Sequence, residues 1–298
     1  IHDRQVTDLP GLLPAGSGLW VNETKVLHAR LVARKPTGGL LELLLLDPHG
    51  QPVEWALNAE SPVHWNAMVG GAKKWKEGAL EVPDSGCGLQ VERDCNSLKF
   101  TWEGGERFGA VLDRLGKIPL PPYMRREADD ADEDRYQTVF ARLPGSVAAP
   151  TAGLHLTESL LAETALAGVS LGKVTLHVGV GTFKPLSGSV EAHEMHGERC
   201  LVSLEALHAL SGIADLTVVG TTTLRTLESV YWLACRWSQG GSGPEVPVQQ
   251  WVHREVEPVF PDMAAASTWL AEHIEGHDLE FVTHLMVVPG YTVRSARR

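Results

Sequence analysis

Cysteine is scarce in this chain. Cys87, Cys95, Cys200 and Cys235 are its four cysteines, and they form no C-x-x-C pair and no zinc-ligand spacing. That excludes a disulfide scaffold and predicts a reducing, cytoplasmic compartment. Long apolar runs are missing as well: the segment 40–46 is interrupted by Glu42 and has the length of a strand, not of a membrane span. No signal peptide precedes Val6 and the chain opens on Ile1, so an N-terminal segment is expected to be missing. Positive charge is in deficit. Lysine and arginine number 26 against 37 acidic residues, a formal net charge of −11, which excludes a protein that coats nucleic acid nonspecifically. The cations fall in local groups: Lys25, Arg30, Arg34 and Lys35; Lys73, Lys74 and Lys76; Arg294, Arg297 and Arg298. Each group alone reads as solvated surface.

What is present is a globular composition, 43% hydrophobic and 21% charged over 298 residues, enough for two domains around real cores. Short runs at 26–33, 40–46, 53–57, 80–82, 89–91 and 98–102, punctuated by Gly, Pro and Asp, predict a small all-β barrel or sandwich. Beyond Gly105 the texture changes. A helix is predicted at 108–115, an exposed acidic loop at 127–134, then alternating helix and strand: helix 158–167 capped by Thr157, strand 173–178, helix 204–211 capped by Ser203, strand 215–219 and helix 224–236. A Gly, Ser and Pro-rich linker at 238–247 precedes a helix at 264–274 and a strand at 280–288. The fold class is therefore α/β, an α/β domain over 1–25 and 106–298 with a smaller barrel-like domain inserted at 26–105.

Four stretches carry residue types suited to chemistry. The run 145–157 sets Gly145, Ala148, Ala149, Ala152 and Gly153 around Pro150, Thr151 and His155, small residues that let a backbone approach a ligand. On the strand 173–178, period two puts Val174, Leu176 and Val178 on one face and Thr175 with His177 on the other, with Gly179 and Gly181 opening the turn that follows. That turn, continuing through Thr182, lacks the spacing of a P-loop and the third glycine of a dinucleotide fingerprint. His193-Glu194-Met195-His196-Gly197-Glu198 separates its histidines by three positions rather than four. A metal motif is thus the lesser reading and a metal-free acid/base cluster the better one. Gly220-Thr221-Thr222-Thr223 lies between a strand and a helix, where free N–H groups and hydroxyls make an anion seat, with Arg225 placed to clamp the same anion.

Together with the motifs at 116–123, 136–140, 174–183, 193–196 and 219–222, the run 145–157 resembles the S-adenosylmethionine:tRNA ribosyltransferase-isomerase (QueA) family in one order over most of the chain. The resemblance implies an α/β domain with an inserted β-barrel. It also implies transfer of the ribosyl part of S-adenosylmethionine to the aminomethyl group of a 7-deazaguanine base in tRNA, giving epoxyqueuosine and releasing adenine and methionine. His155 or His177 is then expected in proton transfer, and His193, His196 and Glu198 in positioning or a second acid/base step. Thr221, Thr222 and Arg225 would hold an anionic group. Asn22, Lys25, Tyr123, Arg125, Tyr136 and Thr151 would line the nucleoside or tRNA side, with Gly179, Gly181 and Thr182 admitting the adenosine. No metal and no cofactor beyond the co-substrate S-adenosylmethionine is expected; the partner is tRNA, with no membrane, and the state is monomeric. Family members usually continue past the segment matching 286–291 into an Asn-Phe-His-Leu-Pro motif that this chain lacks, and Leu156, Gly197 and Glu23-Thr24-Lys25 stand where Phe, Ser and Asn-Thr-Arg are usual. These departures predict a chain shortened at both ends or a divergent paralogue, the alternative being a noncatalytic binder of tRNA or a nucleoside.

Overall fold

The computed structural model describes residues 3–75, 78–121, 124, 126, 128–179, 181 and 188–296. Its strands, in chain order, are β1 (Gly18–Asn22), β2 (Thr24–Val26), β3 (Arg30–Arg34), β4 (Leu40–Pro48), β5 (Val63–Val69), β6 (Leu80–Glu81), β7 (Gln90–Asp94), β8 (Ser97–Thr101), β9 (Leu143–Ser146), β10 (Ser170–Leu176), β11 (Glu198–Val202), β12 (Leu216–Val218) and β13 (Leu279–Thr283). The helices are α1 (Leu9–Leu12), α2 (Val53–Asn58), α3 (Phe108–Leu115), α4 (Asp132–Arg135), α5 (Glu158–Leu166), α6 (Leu204–Ser211), α7 (Thr221–Ser238), α8 (Val252–Glu255) and α9 (Met263–His273). The chain divides into two compact units, one of Ile1–Thr24, Thr138–Leu143 and Pro150–Arg298, the other of Lys25–Gln137 and Pro144–Ala149.

In the first unit, among the described residues, a five-stranded sheet runs in the order β12-β1-β10-β11-β13. β1 is parallel to both β12 and β10, whereas β11 is antiparallel to β10 and β13. Every residue of β1 is buried, as a strand covered on both faces requires. Trp20 fits because its register partner is Gly172, where a Cβ would stand 2.1 Å from the indole ring. Thr157, Ser203 and Asp262 cap α5, α6 and α9 by accepting from the N–H three residues on.

In the second unit β3-β4-β5-β8-β7-β6 close into an antiparallel barrel. Leu31, Leu43, Leu45, Trp65, Val91 and Phe100 alternate inward and are buried. The segment 106–137, which the sequence pattern assigns to the α/β layer, belongs to this unit. Phe108 on α3 explains why: its ring lies 5.3–5.4 Å from those of Trp65, Phe100 and Trp102.

Several sequence expectations are corrected. The run 53–57 is the helix α2, not a strand; its buried Val53, Ala56 and Leu57 follow helical spacing behind Pro52. β5 is an additional strand, in which Val63, Trp65, Ala67 and Val69 alternate with His64, Asn66 and Met68. The acidic loop contains α4, where buried Asp132 takes a bidentate pair of bonds from Arg126. The linker at 238–247 is an organised loop, since the Arg236 guanidinium donates to the carbonyls of Ser242, Gly243, Val246 and Pro247. β13 ends at Thr283, and α7 starts at Thr221 rather than Leu224.

Candidate functional site

Because β1, β10, β12 and β13 run the same way, their carboxyl ends meet the start of β11 along one edge of the sheet. Ligands of open α/β sheets gather at such an edge. Asn22, at the end of β1, is buried and acts as a bracket. Its side-chain oxygen accepts from the N–H of Leu176 and Thr24, and its amide donates to Leu176 O at 3.0 Å and to Thr222 Oγ1 at 3.3 Å. One residue past β10, the half-buried His177 places Nδ1 2.9 Å from Thr24 Oγ1.

Glu198 opens β11 and is buried. Its Oε1 accepts from Gly179 N at 3.0 Å, and Arg225 Nη1 donates to its Oε2. Burial pushes the Glu198 carboxyl above the usual carboxylate range, against the pull of Arg225, the Gly179 N–H and His196. The second guanidinium nitrogen of Arg225 donates to Thr283 O at 2.9 Å, while its Nε is buried with no partner among the described residues. The sequence pattern leaves Arg225 free to clamp a ligand; the structure commits it to Glu198.

The histidine loop is pinned by two residues that sequence reasoning misses. Gln250 accepts from Met195 N at 3.0 Å and donates to His193 O at 2.7 Å. His284 Nδ1 lies 2.8 Å from Met195 O, and since a carbonyl only accepts, that nitrogen carries the proton. Gly197 admits this ring: a Cβ there would stand 2.9 Å from His284 Nε2. Neither residue sits in a recognisable motif; proximity alone reveals them. Among the described residues no three His, Cys, Asp or Glu side chains gather as a metal-ligand set.

Beside these groups lies a cavity of about 380 Å³, within the range of small-molecule sites. Gly181, His193, His196, Glu198, Thr221, Thr222 and Arg225 supply its polar side, and Met195, Leu224, Leu285, Met286 and Val287 its apolar wall. α7 starts here behind Gly220, whose φ of +85° only glycine adopts easily, and no side chain caps it. The first-turn N–H groups of an α-helix have no intrahelical acceptors. Thr223 is turned away, its hydroxyl donating to Val219 O at 2.7 Å, so two threonines rather than three face the cavity.

Other sequence candidates lie elsewhere. Thr151 and His155 are exposed on a turn whose Ala152 Cβ would be 3.1 Å from a Cβ at Gly220, so they flank the start of α7 without lining the cavity. Gly153 is small for packing, because a Cβ there would meet Phe140 at 2.7 Å. Lys25, exposed, and Tyr136, buried, belong to the barrel unit. Tyr123, Arg125 and Thr182 lie outside the described residues. No helix among the described residues is long and apolar enough to cross a membrane.

Residues 1–295 match the family model described as queuosine biosynthesis protein. The chain is 45% identical over 238 residues to the S-adenosylmethionine:tRNA ribosyltransferase-isomerase of an Anaeromyxobacter species, covering 76% of this chain and 66% of that relative. With the protein of the same name from Thermus thermophilus it shares 42% identity over 251 residues, covering 78% and 66%. The chain thus spans about two thirds of the length of the curated relatives it matches. A solved S-adenosylmethionine tRNA ribosyltransferase from Thermotoga maritima aligns with 98% of this chain and 68% of its own, at 19% identity and a TM-score of 0.33.

Proposed function

Because the chain belongs to the queuosine biosynthesis protein family, we propose that it carries the reaction for which its curated relatives are named. In this reading the ribosyl part of S-adenosylmethionine passes to the aminomethyl group of 7-aminomethyl-7-deazaguanine in tRNA and is isomerised to epoxyqueuosine, with release of adenine and methionine. The observation that carries it is the cavity at the strand ends, where an uncapped helix start lies beside an apolar wall and two histidines. The methionine arm has the matching shape: a carboxylate for the N–H groups and hydroxyls of Thr221 and Thr222, and a thioether chain for Leu224, Leu285 and Met286.

The chemistry asks for a base beside the sulfonium and a proton donor for departing adenine. His193 and His196, which line the cavity, are the first candidates for these roles, ahead of His177 and His155, which do not. Glu198 and Arg225 then hold the loop end and the charge balance of the pocket. The sulfonium activates its own neighbouring carbon, so the reading includes no metal or redox cofactor, and the tRNA substrate puts the protein in the cytoplasm.

The test is incubation with S-adenosylmethionine and tRNA carrying the aminomethyl base, followed by measurement of free adenine. Adenine release that requires both substrates supports the reading. S-adenosylmethionine bound with no adenine released would turn the chain into a noncatalytic nucleoside binder.

A further inference from the structure

We propose that one end of the barrel is an RNA-docking surface that grips phosphates through Arg34, Lys35, Lys73, Lys74 and Arg93. The proposal rests on the reading of tRNA as substrate and locates where this unit meets it.

The topology brings together cations that are far apart in sequence. β3 ends at Arg34, and Lys35 opens the turn into β4, its N–H bonded to Gly39 O. β5 leaves the barrel at the same end, since Gly70 N donates to Glu42 O on the adjacent strand and Gly71 lies against Leu41 and Lys74. Lys73 and Lys74 follow on that short turn. Arg93, near the end of β7, arrives there too: it donates to Ala72 O at 2.8 Å and lies 5.0 Å over the Trp75 ring. Arg34 and Lys35 from one of the basic groups seen in the sequence, and Lys73 and Lys74 from another, thus share one rim.

Some cations of the molecule meet carboxylates, as Arg30 does Glu42, Lys99 does Glu92, Arg114 does Glu106 and Arg199 does Glu280. Arg34, Lys35, Lys73 and Lys74 take no ion-pair partner among the described residues. Among the described acids near this rim, Glu81 stands in register with Arg34 with no ion pair between them, Glu42 is engaged by Arg30, and Asp94 is engaged by His64 at 2.9 Å. A protein with a net charge of −11 that gathers five cations at one barrel end, Lys35 half-buried and the others exposed, presents a seat for a polyanion there. Long flexible lysines spread over two turns suit a run of phosphates better than a single anion.

The experiment uses the whole chain, a fluorescent unmodified tRNA transcript and, separately, S-adenosylmethionine. Arg34→Glu/Lys35→Glu/Lys73→Glu/Lys74→Glu is expected to lower transcript affinity at least about tenfold at low salt. The log–log salt slope should fall by about 0.7–0.9 for each phosphate no longer neutralised, with S-adenosylmethionine affinity unchanged. The same four positions changed to Gln serve if the reversed variant misfolds, and acetylation of Lys35, Lys73 and Lys74 in the parent should be suppressed by transcript. If the parent binds transcript and neither variant nor acetylation responds, the surface is wrong while the catalytic reading stands. A parent that binds the transcript through this rim yet releases no adenine would sink the catalytic reading and keep the surface. A parent that binds anionic phosphatidylserine vesicles but no transcript overturns the proposal in favour of a membrane.

Discussion

Glu198 at the sheet edge and Glu228 within α7 are both buried, yet the molecule surrounds them differently. Glu198 meets a guanidinium, one backbone N–H and a cavity. Among the described residues the donors to Glu228 are neutral: the Tyr291 hydroxyl at 2.5 Å, Arg294 N at 2.9 Å, Ser295 N at 2.6 Å and the Ser295 hydroxyl. Burial, with Glu228 beside it, pushes the Tyr291 hydroxyl well above its ordinary range, so it remains a donor. The Glu228 carboxyl spends its lone pairs on holding the segment 291–295 in place. The Glu198 carboxyl is held by two donors at the rim of an open space, where a ligand can reach its surroundings. Burial alone therefore does not mark a functional carboxylate; the company it keeps does.

The comparison breaks most visibly at Glu228. Glu228→Ala strands four donors, two of them buried and two half-buried, and urea unfolding should show a loss on the order of 3–5 kcal/mol. Glu228→Gln should recover part of it. A variant as stable as the parent would mean that the clasp contributes nothing. Next comes a double-mutant cycle on the Glu198–Arg225 pair. Arg225→Met leaves a buried carboxylate unpaired and should destabilise markedly, whereas Glu198→Gln/Arg225→Met should regain most of that stability. Adenine release should remain about tenfold to a hundredfold down in the double variant; recovery of both would make the pair purely structural.

Smaller effects sharpen the contrast. Thr221→Ala/Thr222→Ala removes two hydroxyls but keeps the helix N–H groups, so calorimetry should find S-adenosylmethionine affinity reduced by about tenfold rather than abolished. Asp132 supplies a third case, a carboxylate paired with a cation and not among the residues that line the sheet-edge cavity. Its bonds to Arg126, then to the Asp129 N–H, hold it down to about 2 against an ordinary 3.8. A lowered carboxyl stabilises the native state above its unfolded value and loses that contribution as pH falls. The melting temperatures of the parent and Asp132→Asn should differ at neutral pH and converge between pH 4 and pH 2. A gap that persists at pH 2 would assign the difference to packing.

The barrel is legible in the sequence because its strands announce themselves locally, by alternation between turn residues. Misassignments there are local as well: in a five-residue run such as 53–57, strand and helix periods are hard to separate. At the sheet edge, 193–198 and 220–225 stand out as motifs, and both do line one cavity. What stays hidden is the commitment of each group. Arg225 looks free until Glu198 meets it, Thr223 looks like a ligand until its hydroxyl turns to Val219, and the small Gly153 proves to make room for Phe140. Gln250 and His284 carry no spacing signal, because their partners on the histidine loop lie 55 and 89 residues away.

The bracket at Asn22 bears on how the chain is made. Its side-chain partners Leu176 and Thr222 lie 154 and 200 residues further on. At a synthesis rate of about 5–20 residues per second, they follow β1 out of the ribosome by roughly ten to forty seconds. The barrel, whose strands come from one continuous stretch, has by then emerged whole. For that interval Leu19, Trp20 and Val21, wholly buried in the finished sheet, have no sheet to enter. The nascent chain thus carries a sticky strand ahead of a completed barrel, and its yield in the cell depends on what shields those three residues.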